Sequence, residues 1–270
     1  MIYEHVQIPI LLAPMAFAST ADLASAVTKA GAFGFIPAGF YSSAELKQEL
    51  NKARQILSVP QNEPVPVGIG FIGWILDKTE ASDDPRLEAV LEEKPVALWF
   101  AFGDDLGKSI KKVRTYDSKR EHKTIVFVIV STVEDALKAA NEWGVDVLVA
   151  QGMEAVGHGR ADAPPLLTLL EALNRAIPPG SGPLIVAAGG ISTGSQIAAL
   201  LTAGASGVAL GTRFLFTNES IYSNVQKDAL INAGLVDSTV RTLAFDEVGR
   251  TMGWPAKHDG RALKNDIIKD

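Results

Sequence analysis

The chain has 270 residues, a formal net charge of −6, 47% apolar side chains and no cysteine. Disulfides, thiolate metal sites and cysteine nucleophiles are therefore excluded, and the acidic balance argues against nucleic acid or an anionic membrane as a partner. The length fits one large domain or two small ones, and the apolar fraction suffices for a sizeable core.

Residues 1–7 contain Glu4 and no Lys or Arg, and the apolar run that follows is interrupted by Pro9 and Pro14, so no targeting segment is expected. No stretch approaches the ~20 apolar residues needed to cross a bilayer. A cytoplasmic protein is the default.

The first β-rich run, 8–15, ends in Ala13-Pro14-Met15. Proline breaks a strand ladder, and the soft side chain of methionine suits a flat aromatic ring, or equally a core position. Ser19-Thr20-Ala21-Asp22 then opens a helix in a capping-box-like pattern. Its apolar face repeats through Leu23, Ala26, Val27 and Ala30, and Gly31 stops it. The same unit recurs along the chain. Strands are predicted at 33–38, 65–72, 96–102, 124–130, 145–150, 184–188 and 207–210. Helices are predicted at 43–57, 84–93, 105–116, 132–143, 165–176, 193–203 and 219–233. Many of the strands are apolar throughout, as befits a parallel sheet covered on both faces.

Eight strand–helix pairs in sequence predict an α/β fold, a single-domain (β/α)8 TIM barrel over residues 1–243. An open doubly wound sheet would place a glycine-rich phosphate loop after its first strand, where this chain has Pro14-Met15-Ala16-Phe17-Ala18. Beyond Leu243 no clear period remains, and 244–270 is expected to pack on the outside or one rim of the barrel.

In such a barrel the chemistry lies at the carboxyl ends of the strands. Gly189-Gly190 and Gly211-Thr212 follow the last two predicted strands, where backbone amides can cradle a phosphate. The helix beginning near Ser192-Thr193 would add its positive end. Ordinary tight-turn glycines are the bland alternative at each site, but two such sites one unit apart favour the phosphate. Arg213 would reach the anion or form a surface ion pair. His158 follows the sixth strand in a glycine-flanked loop, and an imidazole there can move protons near neutral pH. Glu154 precedes it by four residues, either to orient the ring or to face solvent. Metal binding is disfavoured, since no second histidine or carboxylate stands at ligand spacing. A serine hydrolase is disfavoured too, because the Gly-x-Ser-x-Gly turn is missing.

These blocks together resemble the nitronate monooxygenase (2-nitropropane dioxygenase-like) family of FMN-dependent barrels, whose relatives include FMN-dependent enoyl-ACP reductases and NADH:quinone reductases. The resemblance runs from Ile8 to about Gly260. It rests on Ala13-Pro14-Met15, Gln151-Gly152 with Glu154-Ala155 and Gly157-His158, Ala188-Gly189-Gly190-Ile191, and Leu210-Gly211-Thr212-Arg213-Phe214. The later Ala244-Phe245-Asp246-Glu247 and Gly253-Trp254-Pro255 are similar as well. The resemblance implies FMN at the carboxyl rim. Ala13, Pro14 and Met15 would line its ring system, and Gln151 and Gly157 would contact it. Gly189, Gly190, Gly211 and Thr212 would hold its phosphate.

His158 matches the family's active-site histidine. It would act as general base on a nitroalkane, or bind and orient the nitro group of a nitronate. The implied reaction joins a nitronate with O2 and yields a carbonyl compound and nitrite. An FMN-dependent NAD(P)H reductase of quinone or enoyl type is the alternative within the class, and a flavin-free phosphometabolite-binding barrel the alternative outside it. The resemblance leaves NAD(P)H as a second substrate and a homodimer as the assembly open. One departure is Val156, which stands where the family has the first glycine of Gly-Gly-His. Its branched side chain would narrow the pocket and disfavour a positive φ.

Overall fold

Short runs dense in Val, Ile, Leu and Phe cannot leave either face in water, so they form strands buried between a barrel interior and an outer layer of helices. The structure is a computed structural model whose described residues are 4–234 and 237–268. In chain order its strands are β1 (Ile10–Leu12), β2 (Phe35–Pro37), β3 (Val65–Ile72), β4 (Pro95–Ala101), β5 (Ile125–Val130), β6 (Val147–Gln151), β7 (Gly157–Arg160), β8 (Leu184–Ala188), β9 (Gly207–Leu210), β10 (Thr239–Thr242) and β11 (His258–Leu263). The helices are α1 (Ala21–Lys29), α2 (Ser43–Ile56), α3 (Gly73–Glu80), α4 (Leu87–Glu92), α5 (Leu106–Asp117), α6 (Val133–Asn141), α7 (Leu166–Ala176), α8 (Gly194–Thr202), α9 (Asn224–Ile231) and α10 (Ala244–Gly249).

Eight parallel strands form one sheet in the order β1-β9-β8-β6-β5-β4-β3-β2. Its two edges meet through a parallel bridge between Leu11 and Phe33, with Leu12 N donating to Phe33 O at 2.9 Å and Phe33 N to Ile10 O at 3.0 Å. The predicted barrel is therefore the observed fold. Three predicted strands, 65–72, 184–188 and 207–210, keep their bounds as β3, β8 and β9. The first shrinks from 8–15 to β1, because Pro9 and Pro14 flank it and neither has an N–H to give to a ladder.

The interior is filled by rings that need space elsewhere. Phe35 meets Trp99 and Phe127 edge-on, each at 5.1 Å, while Trp99 and Phe127 stack at 5.9 Å. Glycines on β3 make that space. A Cβ on Gly68 would stand 2.2 Å from the ring of Phe35, and one on Gly70 would stand 2.4 Å from Pro14 Cβ.

Two local expectations are corrected. The opening of α1 is not a capping box: Thr20 makes no side-chain cap bond, and Glu49 of α2 instead accepts the Ala21 amide at 2.7 Å. Complete capping boxes stand at Ser42–Glu45, Thr193–Gln196 and Ser223–Gln226. The third unit also carries two helices rather than the one predicted at 84–93, since α3 starts directly from β3 with no turn residues to announce it. A second sheet, antiparallel in the order β10-β11-β7, lies outside the barrel ladder. Among the described residues, no helix is long and apolar enough to cross a membrane.

Candidate active site

The carboxyl ends of β1, β6, β8 and β9 converge through contacts that can be followed residue by residue. Ala13 N donates to Leu210 O at 2.9 Å, which aligns the tail of β1 with that of β9. Pro14 then lies over Gly70, and Met15 places its sulfur 3.5 Å from where a Cβ on Gly211 would stand. Past β8 the chain turns with positive φ at Gly189 (118°) and Gly190 (67°). Both glycines pack against the turn after β6, because a Cβ on Gly189 would stand 3.1 Å from Ala155 N and one on Gly190 2.9 Å from Glu154 Cβ. Gly152 N ties the two turns together by donating to Ala188 O at 3.0 Å.

The amides of Gly190, Ile191, Gly211 and Thr212 make no hydrogen bond to another described residue. Unpaired amides at two neighbouring strand ends form the donor set that an anion completes. The start of α8 adds less than the sequence suggested. Gln196 Oε1 takes the amides of Ser192 (2.9 Å) and Thr193 (3.1 Å), and Gln196 Nε2 donates to Gly190 O at 3.0 Å. Arg213 is exposed and makes no ion pair with a described residue, so the surface ion-pair alternative does not hold.

His158 lies on β7, a strand, rather than in the glycine-flanked loop expected. The cause is register: β11 pairs with β7 so that Gly260 faces His158, and a Cβ on Gly260 would stand 3.3 Å from His158 Nε2. Arg241 of β10 binds the Gly159 carbonyl at 2.8 Å and pairs with Asp259 on β11, which locks the three strands together.

The sheet aims the imidazole at Asp246 of α10. His158 Nε2 lies 3.0 and 2.9 Å from the two carboxylate oxygens, and Asp246 is only 3% exposed. Thr251 Oγ1 and Trp254 Nε1 each donate to Asp246 Oδ1 at 2.9 Å. Trp254 also stacks on the imidazole at 3.5 Å and 7°. A carboxylate at Nε2 fixes the proton there and leaves the Nδ1 lone pair to take another. Burial lowers the His158 pKa below its ordinary 6.5, and Asp246 opposes that shift. The ring is thus a neutral base at neutral pH with a partner ready to stabilise its charged form.

Gln151, at the end of β6, donates from Nε2 to His158 O at 3.2 Å, while its Oε1 is buried without a partner among the described residues. Glu154 does not orient the imidazole; it is exposed, as the alternative expected. It accepts the Leu166 amide at 3.0–3.1 Å and so closes the start of α7. Val156 is exposed and outside the positive-φ set, while Gly157 beside it takes φ 80°. Asp246 and Trp254 escaped the sequence reading as site residues. Each stood in a familiar block, but the segment around them shows no period and lies far along the chain from His158.

A sequence profile described as nitronate monooxygenase matches residues 2–67 and 72–263. The chain belongs to the nitronate monooxygenase family. Relatives include nitronate monooxygenase npaC of Metarhizium robertsii, 33% identical over 97% of this chain and 74% of that one. Nitronate monooxygenase of Neurospora crassa is 31% identical over the same shares. Among solved structures, nitroalkane oxidase from Streptomyces ansochromogenes superposes with a TM-score of 0.77 at 28% identity, covering 99% of this chain and 80% of that one. FabK from Thermotoga maritima gives 0.75 at 28% identity, covering 97% and 72%. Family membership makes this nitronate monooxygenase relative an oxidoreductase that works with a flavin.

The rim fits such a group. Four amides unpaired among the described residues suit its phosphoryl end at the glycine turns, and Gln151 Oε1 is an acceptor that no described residue satisfies.

Proposed function

We propose that the protein is an FMN-dependent oxidoreductase that oxidises alkyl nitronates with O2 to a carbonyl compound and nitrite. The observation that carries this reading is the Asp246–His158 pair, set on the same rim as the unpaired glycine amides. The amides of Gly190, Ile191, Gly211 and Thr212 would hold the phosphate of FMN, and Gln151 and Gly157 would contact its ring system. Ala13, Pro14 and Met15 would line that ring from the end of β1. Bound flavin supplies the electron acceptor for the organic substrate and the means of passing electrons to O2.

On a neutral nitroalkane, His158 Nδ1 takes the α-proton, and Asp246 stabilises the imidazolium that results. On a preformed nitronate no proton need be abstracted, and the ring would bind and orient the nitro oxygens as the imidazolium that Asp246 stabilises, with Nδ1–H as the donor. Trp254 covers one face of the ring and keeps water from it.

A second reading is an NAD(P)H-dependent flavin reductase, to which the likeness to FabK lends weaker support. Anaerobic mixing with ethylnitronate, NADH or NADPH separates the two. The oxidase reading requires the visible flavin bands to bleach with the nitronate. Bleaching by a nicotinamide alone would replace it, and a colourless protein that takes up no FMN would remove both.

A further inference from the structure

The carboxyl rim divides into two chemically different halves. β6, β8 and β9 deliver glycines, Gln151 and, through β7, His158. Each of the successive strands β1 to β4 instead leads into an aromatic residue: Phe17, Phe40, Trp74 and Phe102. These rings form one connected strip. Phe17 stacks with Phe40 at 6.2 Å, Phe40 meets Trp74 edge-on at 6.4 Å, and Trp74 meets Trp254 at 5.6 Å. Phe102 joins Trp254 at 5.4 Å, and Trp254 lies on His158. The strip therefore runs from open solvent to the proposed base.

Two features mark the outer end as built for a ligand. Phe17 is 74% exposed yet holds φ 61°, a backbone state costly for a bulky residue, with the stack on Phe40 set against that cost. Phe40 is 50% exposed, but its backbone is clamped. Arg86, 1% exposed, donates from Nη1 to the carbonyls on either side, Gly39 O at 2.9 Å and Tyr41 O at 3.1 Å. Solvent-facing rings on a fixed backbone are preorganised for contact. Within the strip, Trp74 Nε1 is buried with no acceptor among the described residues.

We propose that this strip binds a flat aromatic substituent on the substrate, so that aryl nitronates are preferred over short alkyl ones. The inference rests on the function proposed above. Ring pairs at these separations favour edge-to-face and offset stacking, which a saturated chain cannot match.

The test uses the purified holoenzyme with the nitronates of phenylnitromethane, 1-nitrohexane and nitroethane. Equilibrium binding of phenylacetate and propionate, unreactive carboxylate counterparts, is read in parallel by tryptophan quenching. The expected order in kcat/KM is phenyl, then hexyl, then ethyl, with roughly tenfold or more between the extremes and phenylacetate bound more tightly than propionate. Phe40→Ala and Phe17→Ala should each lower the phenyl-to-ethyl ratio by roughly three- to tenfold. Both should leave ethylnitronate turnover and FMN affinity near wild type.

Equal use of phenyl and hexyl would reduce the strip to a generic apolar patch and overturn the proposal, as would ratios unmoved by either variant. Weakened FMN binding in the variants would assign the strip to the flavin and overturn it too. If no nitronate bleaches the flavin while phenylacetate still binds selectively through Phe17 and Phe40, the aromatic surface stands and the proposed reaction falls.

Discussion

His158 is poised by a carboxylate 88 residues further along the chain, and that pairing makes separable predictions. Asp246 is the group that opposes the effect of burial on the imidazole. Replacing it with asparagine should push the His158 pKa lower still. A neutral imidazole is the active base, so activity toward nitroethane is lost as pH falls through that pKa. Asp246→Asn should therefore move the acid limb of kcat/KM to lower pH and cut the plateau by roughly tenfold. An unmoved limb would deny the pair its role. His158→Ala should slow nitroethane turnover by roughly 10²–10⁴-fold and leave bound flavin in place; loss of the flavin instead would make the histidine structural. Gly190 tests the other half of the site. Its φ of 67° and the nearness of Glu154 leave no room for a branched side chain. Gly190→Val should yield protein with little flavin, read as the visible-to-ultraviolet absorbance ratio, and an unchanged ratio would remove that turn from the cradle.

At the level of elements, the antiparallel sheet β10-β11-β7 and helix α10 do what no barrel strand does alone: they bring a base and its partner together over the rim. Three strands this short are marginal by themselves and need packing on the barrel. Trp254 supplies part of that packing through its contacts with Trp74, Phe102 and His158. Gly253 permits it, since a Cβ there would stand 2.5 Å from the Trp74 ring and its φ is 148°. Gly253→Ala should cost about 1–3 kcal/mol in urea unfolding and lower turnover as Trp254 shifts off the imidazole. A variant as stable and active as wild type would show that the segment packs without this approach.

Across the whole molecule, three histidines, His5, His122 and His158, tie stability to pH in the same direction. Each has a pKa lowered below 6.5 chiefly by burial, that of His122 against an opposing bond from its ring to Pro95 O at 3.0 Å. The unfolded chain therefore binds more protons between the folded values and 6.5. Stability is complete above 6.5 and declines as pH falls through the lowered values. Urea midpoints should drop between pH 7.5 and pH 5, and the drop should shrink in His122→Ala. Asp162, held at about 2 chiefly by Arg160 and then Lys257, titrates well below that window and does not confuse it. A flat midpoint over the same range would mean that none of the three rings is desolvated.

The barrel was legible in the amino-acid order because buried parallel strands and amphipathic helices each impose a local period, and eight repeats of the pair admit few closed arrangements. The glycines after β8 and β9 were legible for a related reason: a glycine at a strand end is a local conformational signal. Three things were not legible. The antiparallel sheet has strands of mixed polarity whose pairing depends on partners from distant segments, so β7 read as a loop. Glu154 stood near His158 in sequence, yet the fold turned it to the start of α7 and gave the histidine Asp246 instead. The aromatic strip joins rings from four strand units and from the C-terminal segment, with no spacing that could reveal it. Local propensity is written along the chain, whereas a charge, a ring face and a lone pair acquire their chemistry only from neighbours that folding selects.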